Sequence, residues 1–440
     1  MGRTSPVVQG RSHARVAVVT SNFWPEPTGT SQTVWEFVRF LSDAGVPVEV
    51  ATSMPYYPEW RISPGYRGKI WSKEQHGGVT IRRAWHYVSP RPSTVVRLLH
   101  EISLSLLSIP NLARTLWRAR QAYVVSPALS YAFSGMLLAK ILGVPTVLVI
   151  KDVMPDAAVE LGMMRNRMLI AVSRLLARWL YSWADEIHTL GDGMRARIAR
   201  DTTATKIRVV PDTIDAVELA PVPMRDNEFR KRFVADGSFV VLHTGNMGRK
   251  QDLFLLLRAA QRLRADNGVR FLVFGDGAMK DDFVRERDAL GLDNVLHYPL
   301  QDREMLRHML SGADVVLVSQ LPEVVDIVVP SKLITALGAG SMIVAACAEQ
   351  SETARLVRES DGGICVPASD DGALVREIGK IRQGQVDVAG YRSRARQFAL
   401  RRFDRKAVYE PLARSHLTGM DESESGAAIS GRPETRNVEA

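Results

Sequence analysis

The fold is decided by residues 16–51, which read VAVVTSNFWPEPTGTSQTVWEFVRFLSDAGVPVEVA. The opening run VAVVT is apolar or β-branched throughout, which is typical of a buried strand. Segment 31–44 then carries apolar residues at helical spacing, and 46–51 is a second strand-like run. Strands joined by a helix lie parallel to each other, so this opening predicts a βαβ unit and a parallel sheet.

The same alternation continues along the chain. Strand-like runs at 123–125 and 146–150 enclose a helix that ends at Gly143. The pattern restarts after Pro211, with strand-like runs at 239–242, 269–274, 294–297, 315–318 and 342–346 and a helix over 253–264. Because 440 residues are also too many for one ordinary core, we predict an α/β protein with two doubly wound, Rossmann-like domains. Ligands of such sheets bind beyond the carboxyl ends of the strands, which predicts an active site in a cleft between the domains.

Composition suggests the domain boundaries. We expect the N-terminal domain at 15–215, the C-terminal domain at 216–387, and a helix over about 388–415 that packs back on the first domain. Residues 1–14 and 418–440 have few large apolar side chains, so both are expected to be disordered tails.

Bulk composition limits the class of protein. Hydrophobic residues make up 46% and charged residues 24%, which is ordinary for a soluble protein. The formal net charge of +9 favours an anionic partner, whether nucleic acid, acidic lipid or a phosphorylated substrate. No apolar run is long enough to span a bilayer and the first residues lack an apolar signal core, so we expect a cytoplasmic protein. Cys347 and Cys365 are expected to be reduced core residues, with no disulfide and no metal site.

Two loops in the first half could carry chemistry. Loop 21–30 delivers Gly29 to a predicted helix start, where free N–H groups suit a phosphate or a sugar oxygen. The plain alternative is a proline-rich loop that simply precedes a helix. Lys151 and Asp152 follow the strand 146–150, at the edge where catalytic groups gather in such folds. Asp152 could orient an acceptor or move its proton, whereas Asp152 or Asp156 could instead cap a helix.

Two glycine-containing turns follow strands of the second half. Segment 244–252, TGNMGRKQD, places Arg249 and Lys250 before a helix, where a diphosphate would find backbone donors and positive charge together. The spacing of a Walker loop is absent, and a solvated basic turn is the alternative. The shorter turn from Gly275 to Gly277 either contacts a ligand or only joins a strand to a helix.

A third candidate is segment 326–340, which reads DIVVPSKLITALGAG. Pro330 is predicted to start a helix, which places Ser331 and Lys332 in its first turn beside a ribose or a phosphate. A lysine at a helix start opposes the helix dipole, so we expect a bound anion or a nearby carboxylate beside Lys332.

These motifs together resemble the family 4 glycosyltransferases of the GT-B fold, especially the bacterial exopolysaccharide and O-antigen enzymes. The resemblance extends over residues 15–415 and is carried by PYYPEW at 55–60, TGNMG at 244–248, Lys250 with Gln251, and PSKL at 330–333. It implies a retaining transferase that needs no metal or other cofactor. The implied donor is a nucleoside-diphosphate sugar, and the implied acceptor is a saccharide or a polyprenyl-diphosphate-linked saccharide, with no nucleic acid as partner.

The resemblance also implies roles for residues. Lys250 matches the lysine that holds the donor diphosphate, and Gly29 matches a glycine near phosphate and sugar. Segment 297–300 matches the backbone that holds the nucleotide base. The expected catalytic residues are Lys250, from this match, and Asp152, from its place at the end of a strand. The expected donor-binding residues are Gly29, Gly245, Asn246, Arg249, Lys250, Gly275, Tyr298, Leu300, Asp326, Ser331, Lys332 and Thr335.

Three departures from the wider family are shared by the exopolysaccharide subgroup. Asn246 stands where an arginine is usual, and Arg249 is the candidate replacement. The paired glutamates are missing, with Asp326 near the first position and Thr335 at the second. Lys151, beside Asp152, replaces the usual histidine of the N-terminal domain.

Segments 95–116 and 165–183 are apolar, yet both carry arginines. Such helices either pack into a core or lie on anionic lipid, and a lipid-linked acceptor favours peripheral contact with the inner face of the plasma membrane. Two other functions remain open from the sequence. One is a GT-B-like UDP-sugar 2-epimerase, and the other is a basic lipid- or nucleic-acid-binding protein without enzymatic activity.

Overall fold

The computed structural model of the chain describes residues 15–26, 29–91, 93–126, 128–160, 164, 166–234, 237–324 and 331–428. Its strands are β1 (Arg15–Val19), β2 (Val48–Ser53), β3 (Trp71–His76), β4 (Val79–Ala84), β5 (Ala119–Ser126), β6 (Thr146–Ile150), β7 (Glu186–Thr189), β8 (Ile207–Val209), β9 (Phe239–Thr244), β10 (Val269–Phe274), β11 (Val295–Tyr298), β12 (Val315–Ser319), β13 (Ile343–Cys347) and β14 (Gly363–Pro367).

The helices of the first half are α1 (Gly29–Asp43), α2 (Thr94–Leu107), α3 (Ile109–Leu116), α4 (Leu129–Ile141), α5 (Asp156–Glu160), α6 (Arg167–Trp183) and α7 (Asp192–Ile198). Those of the second half are α8 (Glu228–Phe233), α9 (Leu253–Arg262), α10 (Lys280–Ala289), α11 (Arg303–Gly312), α12 (Ser331–Gly338), α13 (Glu352–Ser360), α14 (Asp371–Arg382), α15 (Val388–Arg402) and α16 (Arg405–Ala428).

The strands form two sheets. The first has eight strands in the order β3-β4-β2-β1-β5-β6-β7-β8, and the second has six in the order β11-β10-β9-β12-β13-β14. In the second sheet β9 pairs with β10 and β12, and both pairings are parallel. In the first sheet β1 lies parallel to β2 and β5, whereas β3 and β4 form an antiparallel pair. The predicted α/β class with parallel, doubly wound sheets is therefore confirmed.

The apolar runs recognised in the sequence form the cores of these sheets. Val16 and Val18 of β1 are fully buried, and so are Val241 of β9 and Phe271 of β10. Leu255 on α9 packs against the second sheet in the same core cluster. Each such side chain contributes about 1.5–3 kcal/mol when it leaves water, so the central strands anchor the loops at their ends.

Contacts divide the chain into two compact units. The first unit comprises residues 1–149, 178–187 and 409–440, and the second comprises 150–177 and 188–408. These divisions differ from the domain boundaries expected from composition at 215 and 387, which stay predictions.

The C-terminal part is two helices where one was expected over 388–415. Residues 403–405 pair with Ile214: its N–H donates to the carbonyl of Phe403 at 2.8 Å, and its carbonyl accepts from the N–H of Arg405 at 3.0 Å. This pairing ends α15 at Arg402, and α16 then runs past residue 418 to Ala428. Residues 1–14 and 429–440, expected to be disordered, lie outside the described residues.

The cysteine prediction needs one correction. Both cysteines are free, and Cys347 is buried as expected, but Cys365 is exposed. Cys365 lies on β14, the last strand in the order of the second sheet, so only one neighbouring strand covers it.

Candidate active site

The second sheet reverses its strand order at one point. Successive strands run outward from β9 through β10 to β11, and the order then restarts on the other side of β9 with β12. In doubly wound sheets the crevice at such a reversal is where ligands bind. The turn after β9, residues 245–252, starts at this point.

Backbone hydrogen bonds fix the shape of that turn. Gly245, with φ of +108°, donates its N–H to Phe274 at 2.8 Å. The N–H of Met247 donates to the backbone carbonyl of Asp276 at 2.8 Å, and that of Gly248 donates to the side-chain oxygen of Gln251 at 3.1 Å.

Three N–H groups of the turn, those of Asn246, Arg249 and Lys250, have no acceptor among the described residues. Free donors at the start of a helix favour a bound anion.

Close packing explains the neighbouring glycines. A Cβ atom on Gly275 would lie 2.1 Å from the carbonyl oxygen of Gly245, and one on Gly277 would lie 2.7 Å from that of Met247. Gly275 donates its N–H to the carbonyl of Tyr298 at 3.1 Å. The turn from Gly275 to Gly277 therefore packs directly against the backbone of the 245–252 turn.

The charged groups expected at the reaction centre lie together in the second unit. Lys250 Nζ is 3.6 Å from Asp152 Oδ1, and both side chains are about one-third exposed. Lys151 donates to the Asp212 carboxylate at 2.5 Å, so this cation already has a counter-charge within the protein. Arg249 is exposed and forms no ion pair with any described residue. An anionic ligand would therefore meet Lys250 and Arg249 at the same turn.

Lys332 lies in the first turn of α12, as predicted. Its ammonium donates to the Asn246 carbonyl at 2.9 Å and lies 3.0 Å from Nε2 of His243. No carboxylate of the described residues forms an ion pair with it. Burial lowers the pKa of Lys332 to about 7.

His243 is a residue of this site that sequence reasoning missed. It is buried near the carboxyl end of β9, and burial together with the Lys332 charge holds its pKa well below the usual range. One available signal was the composition of the strand FVVLHT, where histidine interrupts an apolar run.

The remaining predicted donor residues are placed as follows. Thr335 donates its hydroxyl to the carbonyl of Ser331 at 2.8 Å, and Ser331 is exposed. Tyr298 stacks on Phe274 with ring centroids 4.9 Å apart, and Leu300 is exposed. Asp326 and Pro330 lie outside the described residues.

In the first unit, Gly29 is the first residue of α1 and has φ of +46°. Glu26, just before it, is buried and accepts the N–H groups of Tyr56 and Tyr57, both at 2.9 Å. Burial raises the pKa of Glu26. Glu26 therefore anchors the PYYPEW segment to the loop after β1, a contact that the sequence pattern did not reveal.

The described residues contain neither a cluster of metal ligands nor a helix that could span a membrane. In the part of the chain that the structure describes, no group of three or more His, Cys, Asp or Glu side chains is arranged to hold a metal ion. None of the helices described here has the length and apolarity needed to cross a bilayer.

Two protein-family models match consecutive parts of the chain. A "Glycosyl transferase 4-like domain" matches residues 28–213, and "Glycosyl transferases group 1" matches residues 238–383. The chain is 31% identical over 402 residues to the colanic acid biosynthesis glycosyl transferase WcaI of Escherichia coli (strain K12), which covers 90% of this chain and 97% of WcaI. It is 25% identical over 279 residues to a GDP-mannose-dependent alpha-mannosyltransferase of Mycobacterium tuberculosis, covering 60% of this chain and 63% of that protein.

Solved structures share the fold. The crystal structure of Anabaena HepE in complex with UDP matches with a TM-score of 0.69 at 15% identity, covering 92% of this chain and 100% of HepE. HepE in complex with UDP-glucose matches with a TM-score of 0.65 at 15% identity, covering 94% of this chain and 99% of HepE. These matches confirm the predicted GT-B fold class.

Proposed function

This chain belongs to the group 1, type 4-like glycosyltransferases, and from that premise we propose that it moves a sugar from a nucleoside-diphosphate sugar to a saccharide in cell-surface polysaccharide synthesis. The similarity to WcaI, whose name refers to colanic acid biosynthesis, supports the polysaccharide product. HepE was crystallised with UDP-glucose, and the mannosyltransferase is named for GDP-mannose, which supports a nucleotide-sugar donor.

One observation carries the proposal. The turn after β9 offers the free N–H groups of Asn246, Arg249 and Lys250, next to the cationic side chains of the last two. Negative charge develops on the leaving diphosphate as the sugar departs, and preorganised donors and cations at that place stabilise the transition state. Arg249 and Lys250 can supply this charge from the protein, so we propose a reaction without a metal ion or other cofactor.

Asp152 is the proposed partner for the acceptor. Its carboxylate lies 3.6 Å from Lys250, so a diphosphate that takes over the lysine would leave Asp152 free to accept a hydrogen bond from the acceptor hydroxyl. We further propose that the anomeric configuration of the sugar is retained, as the family resemblance implies, with Gly29, Gly245, Gly275, Tyr298, Leu300, Asp326, Ser331, Lys332 and Thr335 completing the donor site. Proton NMR of the product would test this stereochemistry.

The acceptor is proposed to be linked to a polyprenyl diphosphate, with the enzyme bound to the inner face of the plasma membrane. Five apolar residues of α2 support this: Val95, Leu98, Leu99, Ile102 and Leu106 are 44–65% exposed at helical spacing. A helix with an outward apolar face and nearby arginines suits an anionic lipid surface. On α6, Met168, Val172, Leu175 and Trp179 are exposed in the same manner.

The function is tested first at Lys250. UDP or GDP should raise the melting temperature of the wild type, because a ligand that binds only the folded state stabilises it. Lys250→Ala should abolish most of that shift and lower kcat/KM by about 30- to 1000-fold, which corresponds to a loss of about 2–4 kcal/mol of transition-state stabilisation.

Lys380→Ala is the matched control, because Lys380 is an exposed lysine of the same unit that pairs with Glu377 at 2.7 Å on α14. It should behave like the wild type. If neither nucleotide shifts the wild type, or if Lys250→Ala responds as strongly as Lys380→Ala, the donor site is wrongly assigned.

A further inference from the structure

His243 and Lys332 form a pair of basic groups beneath the proposed donor turn. Nε2 of His243 and Nζ of Lys332 are 3.0 Å apart, although the two residues are 89 positions apart in the sequence. The imidazole belongs to the buried carboxyl end of β9, and the ammonium reaches it from the first turn of α12.

The chemistry of this contact allows only one arrangement when Lys332 is charged. An ammonium group has three donors and no acceptor, so Nε2 of His243 must accept and the ring must be neutral. The proton of the ring is then on Nδ1, which is buried without a hydrogen-bond partner among the described residues. Two of the three lysine donors are used, one by His243 and one by the Asn246 carbonyl.

The same lysine determines how the turn is held. A Cβ atom on Gly245 would lie 2.9 Å from Cε of Lys332, so the lysine stem is in contact with the turn backbone. The peptide that follows Asn246 is fixed at both ends, because its carbonyl accepts from Lys332 and its N–H donates to Asp276 at 2.8 Å. His243 therefore acts on the turn through Lys332.

We propose that His243 is a positioning residue for the donor diphosphate, because its ring holds the Lys332 ammonium under residues 245–250. This inference rests on the proposed function, since it takes that turn to be the diphosphate site. A diphosphate bound at this turn would supply a counter-charge to the Lys332 ammonium.

The electrostatics agree with the geometry. Burial brings the pKa of Lys332 to about 7, so above that pH the free protein holds this lysine largely neutral. A diphosphate at the turn favours the ammonium form and raises the pKa again. Binding should then draw up to one proton from solution.

The experiment is calorimetric titration with UDP and with GDP at about pH 8, a pH at which the terminal phosphate of the nucleotide is fully ionised. Each titration is done in two buffers of different ionisation enthalpy, because the difference in heat gives the number of protons taken up. The wild type should take up a fraction of a proton per nucleotide. Lys332→Met should take up none. His243→Leu should bind about tenfold more weakly and move the midpoint of the affinity–pH curve to lower pH, because the lysine loses its acceptor. His243→Gln keeps an acceptor and should restore most of the affinity.

Each outcome of these titrations supports or refutes the positioning role of His243. The inference is wrong if His243→Leu matches the wild type in affinity and midpoint while Lys250→Ala still loses binding, and in that case the donor site itself stands. If His243→Leu does not fold, Lys332→Met carries the test, and proton uptake equal to that of the wild type would refute the coupling. If the wild type binds neither UDP nor GDP, the proposed donor site fails first and this inference fails with it.

Discussion

Two features of the Lys332 environment disfavour the charged form of this side chain. It lies in the first turn of α12, where the helix dipole disfavours a cation, and burial opposes its charge as well. Its contacts are a neutral imidazole and a carbonyl, which are weaker partners than a carboxylate. Such a residue makes the stability of the protein depend on pH in the absence of any ligand.

The sign of that dependence follows from the two pKa values. The pKa of Lys332 is about 7 in the folded state and near 10.5 in the unfolded state, so between these values the unfolded chain binds more protons. The contribution of this lysine to stability therefore rises as pH rises from about 7 to about 10.5. The Lys332→Met variant lacks this dependence. Its stability relative to the wild type should be highest near pH 7 and should decline toward pH 10.

The melting temperatures of both proteins are measured between pH 7 and pH 10 by calorimetry or far-ultraviolet circular dichroism. His308→Gln is a suitable control, because His308 is a buried histidine of the same unit that contacts Glu228 and not Lys332. A difference between Lys332→Met and the wild type that stays constant with pH would show that the lysine is not perturbed.

At the scale of one element, helix α2 exposes its apolar face to solvent and buries a partly polar face, which is the reverse of an ordinary core helix. Its buried side carries His100, Leu104 and Ser105, whereas its outward side is apolar. His100 packs against Trp60 with ring centroids 5.6 Å apart, so the inner side is held by aromatic and polar contacts. The outward apolar side chains therefore remain available for a lipid surface.

The apolar face of α2 is tested by introducing negative charge into it. Leu98→Glu combined with Ile102→Glu should abolish co-sedimentation with vesicles that contain anionic phospholipid, because each buried leucine or isoleucine is worth about 1.5–3 kcal/mol. Val217→Glu combined with Met224→Glu adds the same charge at exposed positions of the second unit and should leave sedimentation unchanged. Equal binding by all three proteins would exclude α2 as the membrane contact.

The sequence predicted most of the strands that carry apolar runs, including the edge strand β11, but it missed the edge strands β3, β8 and β14. Runs such as 146–150 and 269–274 are mostly apolar because helices cover both faces of a parallel sheet. Strand β3, with the sequence WSKEQH, is half-exposed or exposed along its whole length, so no apolar pattern marks it. Its strand conformation comes from pairing with β4, which a local pattern does not record.

The site was predictable to a similar extent. Lys250 and Lys332 were found because each stands at a helix start, which local sequence marks well. The contact of Lys332 with His243 joins β9 to α12 and depends on how the helix packs on the sheet, so spacing could not show it. The same holds for Glu26, whose carboxylate accepts from the N–H groups of Tyr56 and Tyr57, 30 and 31 residues further on.

At the scale of the whole molecule, the last two helices serve different units. Ala395 and Ala399 of α15 are buried in the second unit. From Tyr409 onward α16 belongs to the first unit, where the Tyr123 hydroxyl lies 3.0 Å from Nε2 of His416 and Phe37 meets Tyr409 edge to face. The first unit is therefore incomplete without a segment that follows the second unit in sequence.

Truncation can test this dependence because each unit has its own readout. All eight tryptophans lie in the first unit, so intrinsic fluorescence follows its unfolding, while nucleotide binding reports on the proposed site in the second. A chain that ends after Val408 loses the buried side chains of Tyr409, Leu412 and His416. The free energy of unfolding measured by fluorescence should fall by at least about 3 kcal/mol, because two large apolar side chains and a buried hydrogen bond are removed.

A chain that ends after Leu417 keeps those contacts and should unfold within about 0.5 kcal/mol of the full-length protein, as changes away from packed features usually do. UDP or GDP should still raise the calorimetric transition of the second unit in both truncated chains, because the residues proposed to hold the diphosphate all precede Val408. The first unit does not need α16 if both truncations give the same fluorescence transition. If the shorter chain loses nucleotide binding together with its fluorescence transition, the two units unfold as one.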